Sequence, residues 1–187
     1  MRKKKIKEVR VFIDMDGVLA EWTPVEVYEQ LFEKGRFDKL PVQNWVVTGL
    51  KESEKMLNST FIKTKEGFVK LQVEYHIMTS CVDSPYAIPE KSEWLDKEFD
   101  IPKHKRIYVV NGHNKANYVP GGITGEDILI DDYSFNLHRW KNSGGKGIKL
   151  MNGVNGSNGT WIDNYIPNHS TPNDFYKIIL KTITEKH

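Results

Sequence analysis

The sequence predicts an α/β fold with three layers, in which helices cover both faces of a mostly parallel sheet. Short apolar runs rich in β-branched residues, typical of buried parallel strands, recur along the chain. Stretches with helical spacing separate several of them, and this alternation is typical of parallel sheets. Polar side chains follow the runs directly. Because ligands of such sheets bind just outside the carboxyl ends of the strands, these side chains predict the position of a site.

The first apolar run, residues 10–13, ends at two aspartates, Asp14 and Asp16, and Gly17 lets the chain leave the strand there. Two carboxylates so close repel each other, so both stay ionised only beside a positive charge. Oxygen ligands without nearby histidine or cysteine favour a hard ion, Mg²⁺ before Zn²⁺. The alternative is that the pair only caps a helix, because aspartate is a common N-cap residue.

A segment of about fifty residues, 20–70, separates the first strand from the next buried one. This length exceeds that of ordinary loops and predicts an insertion with its own structure. We therefore expect a core formed by residues 1–19 and 71–187, with residues 20–70 as an insertion.

Two helices are predicted inside this insertion. Thr23 and Pro24 are typical of a helix start, and apolar residues at helical spacing follow as far as Phe32. Residues 52–57 predict a second, short helix. Proline and glycine interrupt the stretch between them, residues 38–50.

The second buried run, residues 73–78, ends at Thr79, Ser80 and Cys81. Hydroxyl groups and main-chain N–H groups at a strand end suit phosphate oxygens. The alternative is that Thr79 and Ser80 cap the next helix. Cys81 is interpreted as a small, partly buried and unreactive residue.

The third run, residues 107–110, leads to Lys115, and the fourth, residues 128–130, stops at Asp131 and Asp132. A lysine is a mobile point charge that can neutralise a phosphate. The alternatives are a solvent-exposed lysine and an acidic turn. Lys103, Lys105 and Lys146 compete with Lys115, because sixteen positions separate Lys115 from Asp131.

The remaining predicted elements complete the core. They are a helix from about residue 85 or 88 to 99, a short helix over 132–140, a strand over 148–151 and a final helix announced by Thr171 and Pro172. Residues 152–160, rich in Asn and Gly, predict a plain loop or a lid over the crevice.

Four strands are thus followed in order by acidic, hydroxyl, lysine and acidic side chains. Such a set predicts a site that holds a phosphate opposite a carboxylate-bound Mg²⁺. This order resembles the haloacid dehalogenase-like (HAD) phosphohydrolases. Within them, the string from Asp14 to Trp22 is similar to the 5′(3′)-deoxyribonucleotidases, in a bacterial or phage-like form. The matching segments are residues 14–18 for motif I, 77–80 for motif II, Lys115 for motif III and 128–132 for motif IV.

The resemblance implies a Rossmann-like core, a small helical cap formed by the insertion 20–70, and a role for each residue. Asp14 would attack phosphorus and form an aspartyl phosphate, and Asp16 would act as general acid and base. Thr79 and Lys115, with help from Ser80, would hold the phosphate oxygens.

The resemblance also implies the metal ligands. Asp14, the main-chain carbonyl of Asp16 and one aspartate of the 131/132 pair would bind Mg²⁺. It favours Asp132 as the ligand and Asp131 as the residue that orients the site, although the sequence leaves both open.

Trp22 is the best sequence indication of the substrate. It falls where the nucleotidases carry an aromatic residue that stacks on the base, and the alternative is a buried cap tryptophan. Phe37 and Trp45 are weaker candidates. The leading interpretation is a phosphatase of (deoxy)nucleoside 5′- or 3′-monophosphates. A sugar-phosphate phosphatase and a non-catalytic nucleotide-binding protein are the alternatives.

Composition excludes several other classes. The formal net charge is +2, and we interpret the basic residues 2–7 as a solvated terminus rather than a nucleic-acid arm. The single cysteine excludes an intramolecular disulfide and favours a cytoplasmic location. No stretch reaches the roughly 18 apolar residues of a membrane span. We expect a small-molecule partner, no membrane and no stable nucleic-acid partner, and a homodimer stays open.

Overall fold

The computed structural model describes residues 5–65, 67–154 and 159–185. Within these residues a seven-stranded sheet is packed between α-helices. The predictions for residues 2–4 of the basic terminus and for the middle of the 152–160 loop lie outside the described residues. Among the helices that are described, none is long and apolar enough to cross a membrane.

The elements are numbered in chain order. The strands are β1 (Ile6–Ile13), β2 (Phe61–Thr64), β3 (Gly67–Cys81), β4 (Arg106–Val110), β5 (Ile128–Asp131), β6 (Lys146–Leu150) and β7 (Tyr165–Ile166). The α-helices are α1 (Asn44–Asn58), α2 (Ala87–Glu98), α3 (Ser134–Asn142) and α4 (Pro172–Thr184). Short 3₁₀ helices cover Tyr28–Phe32, Lys103–Lys105 and Lys115–Tyr118.

The sheet order is β2-β3-β1-β5-β6-β7, and β4 pairs with the second half of β3. Every pairing is parallel except that of β2 with β3. The carboxyl ends of β1, β3, β4 and β5 therefore meet at one edge. This edge is where the four polar segments of the sequence follow their strands.

The core lies on both faces of the sheet, as the predicted three-layer fold requires. Val11 and Ile13 of β1 pack in a cluster with residues of α1, α2 and α4. Phe12, between them, points to the opposite face and packs with Leu137 and Trp140 of α3. Since adjacent strand residues alternate between faces, the continuous apolar run reflects burial on both sides. The predicted α/β class is confirmed.

Two predicted helices differ from the structure. Thr23 and Pro24 do not start an α-helix, and only the 3₁₀ turn of Tyr28–Phe32 forms there. The predicted helix over 52–57 is the second half of the longer α1. Gly49, which was predicted to interrupt the chain, lies inside this helix. Glycine is found there because α4 packs against the position too closely for a side chain.

The sheet begins earlier in the sequence than predicted. β3 starts at residue 67 and forms a hairpin with β2, while β1 starts at residue 6. These strand starts were not predicted, because they contain polar residues and only the apolar runs were interpreted as strands. α1 also packs against β3 and α4. Of the predicted cap, residues 44–64 thus lie on or in the core sheet, and a cap over the crevice stays a prediction for residues 21–43.

Gly49 fixes the distance between α1 and α4. A Cβ built at this position would lie 2.5 Å from ring atoms of Phe175, a separation that real side chains do not reach. Phe175 is fully buried and also contacts the ring of Trp45. The α1–α4 contact is therefore a tight packing of a ring on a helix backbone.

Replacing Gly49 with valine tests this contact. We expect Gly49→Val to lower the free energy of unfolding by about 1–3 kcal/mol, the usual cost of overpacking a core, despite the removal of a helix glycine. Chemical denaturation followed by circular dichroism measures it. Thr48→Ala, at the exposed neighbouring position of α1, is the control and should leave stability nearly unchanged. A Gly49→Val protein as stable as the control would show that the α1–α4 contact can adjust to a side chain at this position.

Candidate active site

The turn after β1 places two carboxylates in one crevice. Asp14 continues the sheet, since its N–H donates to the Ile130 carbonyl at 3.0 Å. The chain then turns sharply, and the N–H groups of Leu19 and Ala20 both donate to the Met15 carbonyl at 2.9 Å. The Met15 side chain is fully buried in the core. Asp14 and Asp16, on either side of it, therefore both lie at the crevice.

Asp14 is joined to Asp131 through Lys115. The Lys115 Nζ lies 2.9 Å from Asp14 Oδ1 and 2.7 Å from Asp131 Oδ2. Asp131 is fully buried and also accepts from the Tyr133 N–H at 2.8 Å and from Asn136 Nδ2 at 3.0 Å. With these partners Asp131 holds the lysine in place. The third N–H of Lys115 has no acceptor among the described parts of the chain.

Asp132 lies against the turn on the other side. Its Oδ2 accepts from Asn152 Nδ2 at 3.0 Å, and the same amide donates to the Gly17 carbonyl at 2.7 Å. Gly17 has a φ of +78°, and a Cβ there would lie 2.3 Å from the Asp132 carboxylate. Glycine is therefore required both for the backbone conformation and for the approach of Asp132.

Three carboxylates converge at this point. One oxygen each from Asp14, Asp131 and Asp132 lie within 4.8 Å of one another. Burial and the neighbouring carboxylates raise the pKa of Asp14 to about 7 and that of Asp132 to about 8. All three groups offer oxygen atoms as metal ligands, and two lysines lie near them: Lys115 pairs with Asp14 and Asp131, and the charge of Lys149 interacts with Asp132 and Asp131. This donor set fits a hard divalent cation such as Mg²⁺.

The hydroxyl end of β3 meets Asp16 through a second lysine, Lys91 of α2. Its Nζ donates to Asp16 Oδ2 in a short contact, to Thr79 Oγ1 at 3.0 Å and to the Ser80 carbonyl at 2.6 Å. The Thr79 hydroxyl also lies 3.4 Å from Asp16 Oδ2. Lys91 is 1% exposed. Because its contact with Ser80 is to the carbonyl oxygen, Ser80 takes part in this network through its main chain.

Sequence reasoning missed Lys91, although a signal existed. Trp94 and Leu95, three and four residues later, form the buried face of α2. A lysine at this spacing on an apolar face needs a buried partner. The preceding residue, Glu90, accepts from the N–H groups of Gly35 and Phe37 at 2.6 and 3.0 Å. These two residues of α2 thus contact both the turn after β1 and the segment 21–43.

The other predicted candidates lie apart from this network. Lys105 pairs with Glu74, and Lys146 donates to main-chain carbonyls near the end of α4. Lys103 is exposed in a 3₁₀ turn before β4. Only Lys115 of the four reaches Asp14. Cys81 is buried, and desolvation raises the pKa of its thiol to about 11, so it stays protonated at neutral pH.

Trp22 lines a cavity of about 290 Å³ next to the acidic turn. The Arg36 guanidinium covers its ring at 5.1 Å. Asn152, which bonds to Asp132, borders the same cavity, as do Trp45 and His169, whose rings are 5.8 Å apart. Phe37 is elsewhere, buried with its ring 4.7 Å from Lys91 Nζ. Two indoles and an amide group thus surround a space beside the carboxylates.

Comparison with known proteins adds the fold class. A scan against protein-family models and a search of the curated proteins find no match. Among solved structures, the D,D-heptose 1,7-bisphosphate phosphatase of Burkholderia thailandensis matches with a TM-score of 0.52 and 12% identity over 97% of this chain and 100% of that one. The HAD domain of the effector protein Lem4 of Legionella pneumophila gives a TM-score of 0.47 and 15% identity, covering 96% and 97%. At such an identity the likeness to the heptose bisphosphate phosphatase concerns the fold alone, a mostly parallel α/β sheet covered by helices.

The carboxylate cluster predicts a linked dependence of stability on pH and Mg²⁺. Asp14 and Asp132 have raised pKa values of about 7 and about 8, above the ordinary value of 3.8. Between about pH 4 and these values the folded state binds more protons than the unfolded state. Without divalent cations, stability contributed by these groups therefore falls as the pH rises through that window.

Mg²⁺ should oppose this loss, because it competes with protons for the same oxygens. We expect it to raise the melting temperature more at pH 8 than at pH 5, measured by differential scanning fluorimetry against NaCl of equal ionic strength. Asp132→Asn should abolish most of the rise. An equal rise at both pH values, or in the variant, would contradict a metal site here.

Proposed function

We propose that the protein is a Mg²⁺-dependent phosphomonoester hydrolase that works through an aspartyl phosphate on Asp14. The observation that carries this proposal is the convergence of Asp14, Asp16, Thr79 and Lys115 on one crevice. Lys115 has one N–H left for a phosphate oxygen, as judged from the described residues. The solved structure with a similar fold is that of a phosphatase, which supports phosphate ester hydrolysis as the reaction class.

Each residue then has one task. An oxygen of Asp14 attacks phosphorus, the bond to the ester oxygen breaks, and the leaving alkoxide takes a proton from Asp16. Asp16 next accepts a proton from water, whose oxygen displaces Asp14 and releases inorganic phosphate. Lys115 and Thr79 hold the phosphate oxygens, which keeps the reacting atoms in line. Mg²⁺ bound by Asp14, Asp132 and the Asp16 carbonyl would neutralise charge on the phosphate.

We further propose a (deoxy)nucleoside monophosphate as the substrate. Arg36 covers one face of the Trp22 ring, while the ring also borders the cavity beside Asp132. A planar base is the ligand that would stack on the free part of this indole, and this supports the nucleotide proposal. A sugar phosphate is the second candidate, because the named phosphatase of this fold acts on one. A cytoplasmic location and a homodimer stay predictions of the sequence.

Phosphate release from a panel of nucleoside monophosphates and sugar phosphates tests both proposals. We expect turnover with Mg²⁺, loss with EDTA and recovery when Mg²⁺ is restored. Asp14→Asn should lower kcat more than about 10⁴-fold, as removal of a nucleophile does. Asp163→Asn, which only breaks a surface pair with Lys141, is the matched control and should keep full activity.

The outcomes separate the three interpretations. Turnover of sugar phosphates alone would refute the nucleotide proposal and leave the hydrolase intact. Nucleotide binding by calorimetry without phosphate release would favour a non-catalytic protein. Full activity of Asp14→Asn would exclude the aspartyl-phosphate mechanism.

Removing the Trp22 ring should affect nucleotides selectively. A stacked base contributes about 1–3 kcal/mol, so Trp22→Ala should raise KM for a nucleotide about 5- to 150-fold. The KM for glycerol phosphate, which has no ring to stack, should change little. Steady-state kinetics with both substrates provides the measurement. Equal changes for the two substrates would show that Trp22 supports the turn after β1 rather than the base.

A further inference from the structure

Lys91 and Lys115 are both buried lysines at the crevice, but their N–H groups are used differently. An ammonium has three N–H donors. Lys91 has three acceptors, Asp16 Oδ2, Thr79 Oγ1 and the Ser80 carbonyl. Lys115 has two, both of them carboxylates. As far as the described residues show, Lys115 therefore has a donor left for a ligand and Lys91 has none, which argues against Lys91 as a second phosphate-binding residue.

The contact of Lys91 makes the two oxygens of Asp16 unequal. Oδ2 accepts from Lys91 and lies near the Thr79 hydroxyl. Oδ1 is buried and has no hydrogen-bond partner within the described chain. A buried carboxylate oxygen without a partner costs free energy and is rare in folded proteins. Such an oxygen is suited to an acceptor or donor role toward a bound molecule.

Lys91 also fixes the direction of the Thr79 hydroxyl. Because Thr79 Oγ1 accepts from Lys91, its own proton is the one available for donation. The side chain of Thr79 is fully buried, and its only other close partner is Asp16 Oδ2 at the long distance of 3.4 Å. A phosphate oxygen in the crevice is a better acceptor for that proton than this long contact.

We propose that Lys91 is a positioning residue that reserves Oδ1 of Asp16 for proton exchange and directs the Thr79 hydroxyl toward the substrate. This inference rests on the proposed function. In the first step the Oδ1–H bond breaks and the proton passes to the leaving alkoxide oxygen. In the second step Oδ1 takes a proton from the attacking water, so the carboxyl is regenerated.

The position of Lys91 on α2 extends this role to the segment 21–43. The Phe37 ring covers the ammonium at 4.7 Å, and Glu90 binds the main chain on either side of Arg36. The ammonium is thereby shielded from water, which strengthens its hold on Asp16. The order of this segment and the geometry of the acid–base residue are thus coupled through one helix turn.

The test uses the dependence of the rate on the leaving group. A positioned general acid contributes about 10²–10⁴-fold when the leaving group is an alkoxide, and far less for p-nitrophenolate, which leaves without a proton. We expect Lys91→Met to lower kcat/KM at least about 100-fold with a nucleoside monophosphate or glycerol phosphate and less than about tenfold with p-nitrophenyl phosphate. This constant reports the steps up to departure of the leaving group, whereas kcat also contains hydrolysis of the aspartyl phosphate, which is the same for both substrates.

Two controls separate positioning from folding. Arg106→Met removes another buried cation that holds α2, through Asp96 and the Ser92 carbonyl, away from Asp16. It should lower stability and leave the ratio of the two rates unchanged. If Lys91→Met does not fold, Lys91→Gln, which keeps neutral donors, replaces it and should show the same selective loss to a smaller extent.

Three results would overturn the proposal. An equal loss of kcat/KM with both classes of leaving group would make Lys91 merely structural. A raised KM with unchanged kcat would make Lys91 a phosphate-binding residue. Unchanged kcat and KM would show that Lys91 has no role in the reaction. Failure of the unmutated protein to hydrolyse either substrate would instead refute the proposed function, which keeps the two conclusions apart.

Discussion

The balance of buried charge at the carboxyl edge of the sheet determines the rest of this structure. Three carboxylates, those of Asp14, Asp131 and Asp132, each place one oxygen within 4.8 Å of the others. Lys115 compensates only part of their charge. Burying carboxylates is costly unless cations and donors surround them. The turn after β1, the glycine at its centre and the amide of Asn152 are all explained by this need. The pKa values of Asp14 and Asp132 are raised for the same reason, and a divalent cation bound to these oxygens would lower them again.

Much of this edge could be predicted because it is encoded locally. Asp14 and Asp16 follow an apolar run directly, and the same holds for Thr79 near the end of β3 and for Asp131, the last residue of β5. Parallel pairing then brings strand ends together whatever the details of the connections. For this reason the strand-end residues predicted from the sequence lie together in the structure. Their chemical roles remain proposals, since proximity alone defines no reaction.

The residues that sequence reasoning missed depend on tertiary contacts. Lys91 lies in mid-helix, and its significance appears only once α2 is packed beside the turn that carries Asp16. Gly49 looked like a helix breaker because helix propensity was weighed without Phe175 of α4. The starts of β1 and β3 were missed because edge and strand-start positions carry charged residues, and the apolar pattern fades there.

The contact of Glu90 with the main chain at Gly35 and Phe37 has a consequence for how the segment 21–43 can move. Two hydrogen bonds to a nearly buried carboxylate tie this segment to α2. A wide swing of the segment would break both and uncover the neighbouring lysine beneath the Phe37 ring. The segment should therefore move together with α2, and its mobility would be set by the stability of that helix, although the segment itself holds little regular structure.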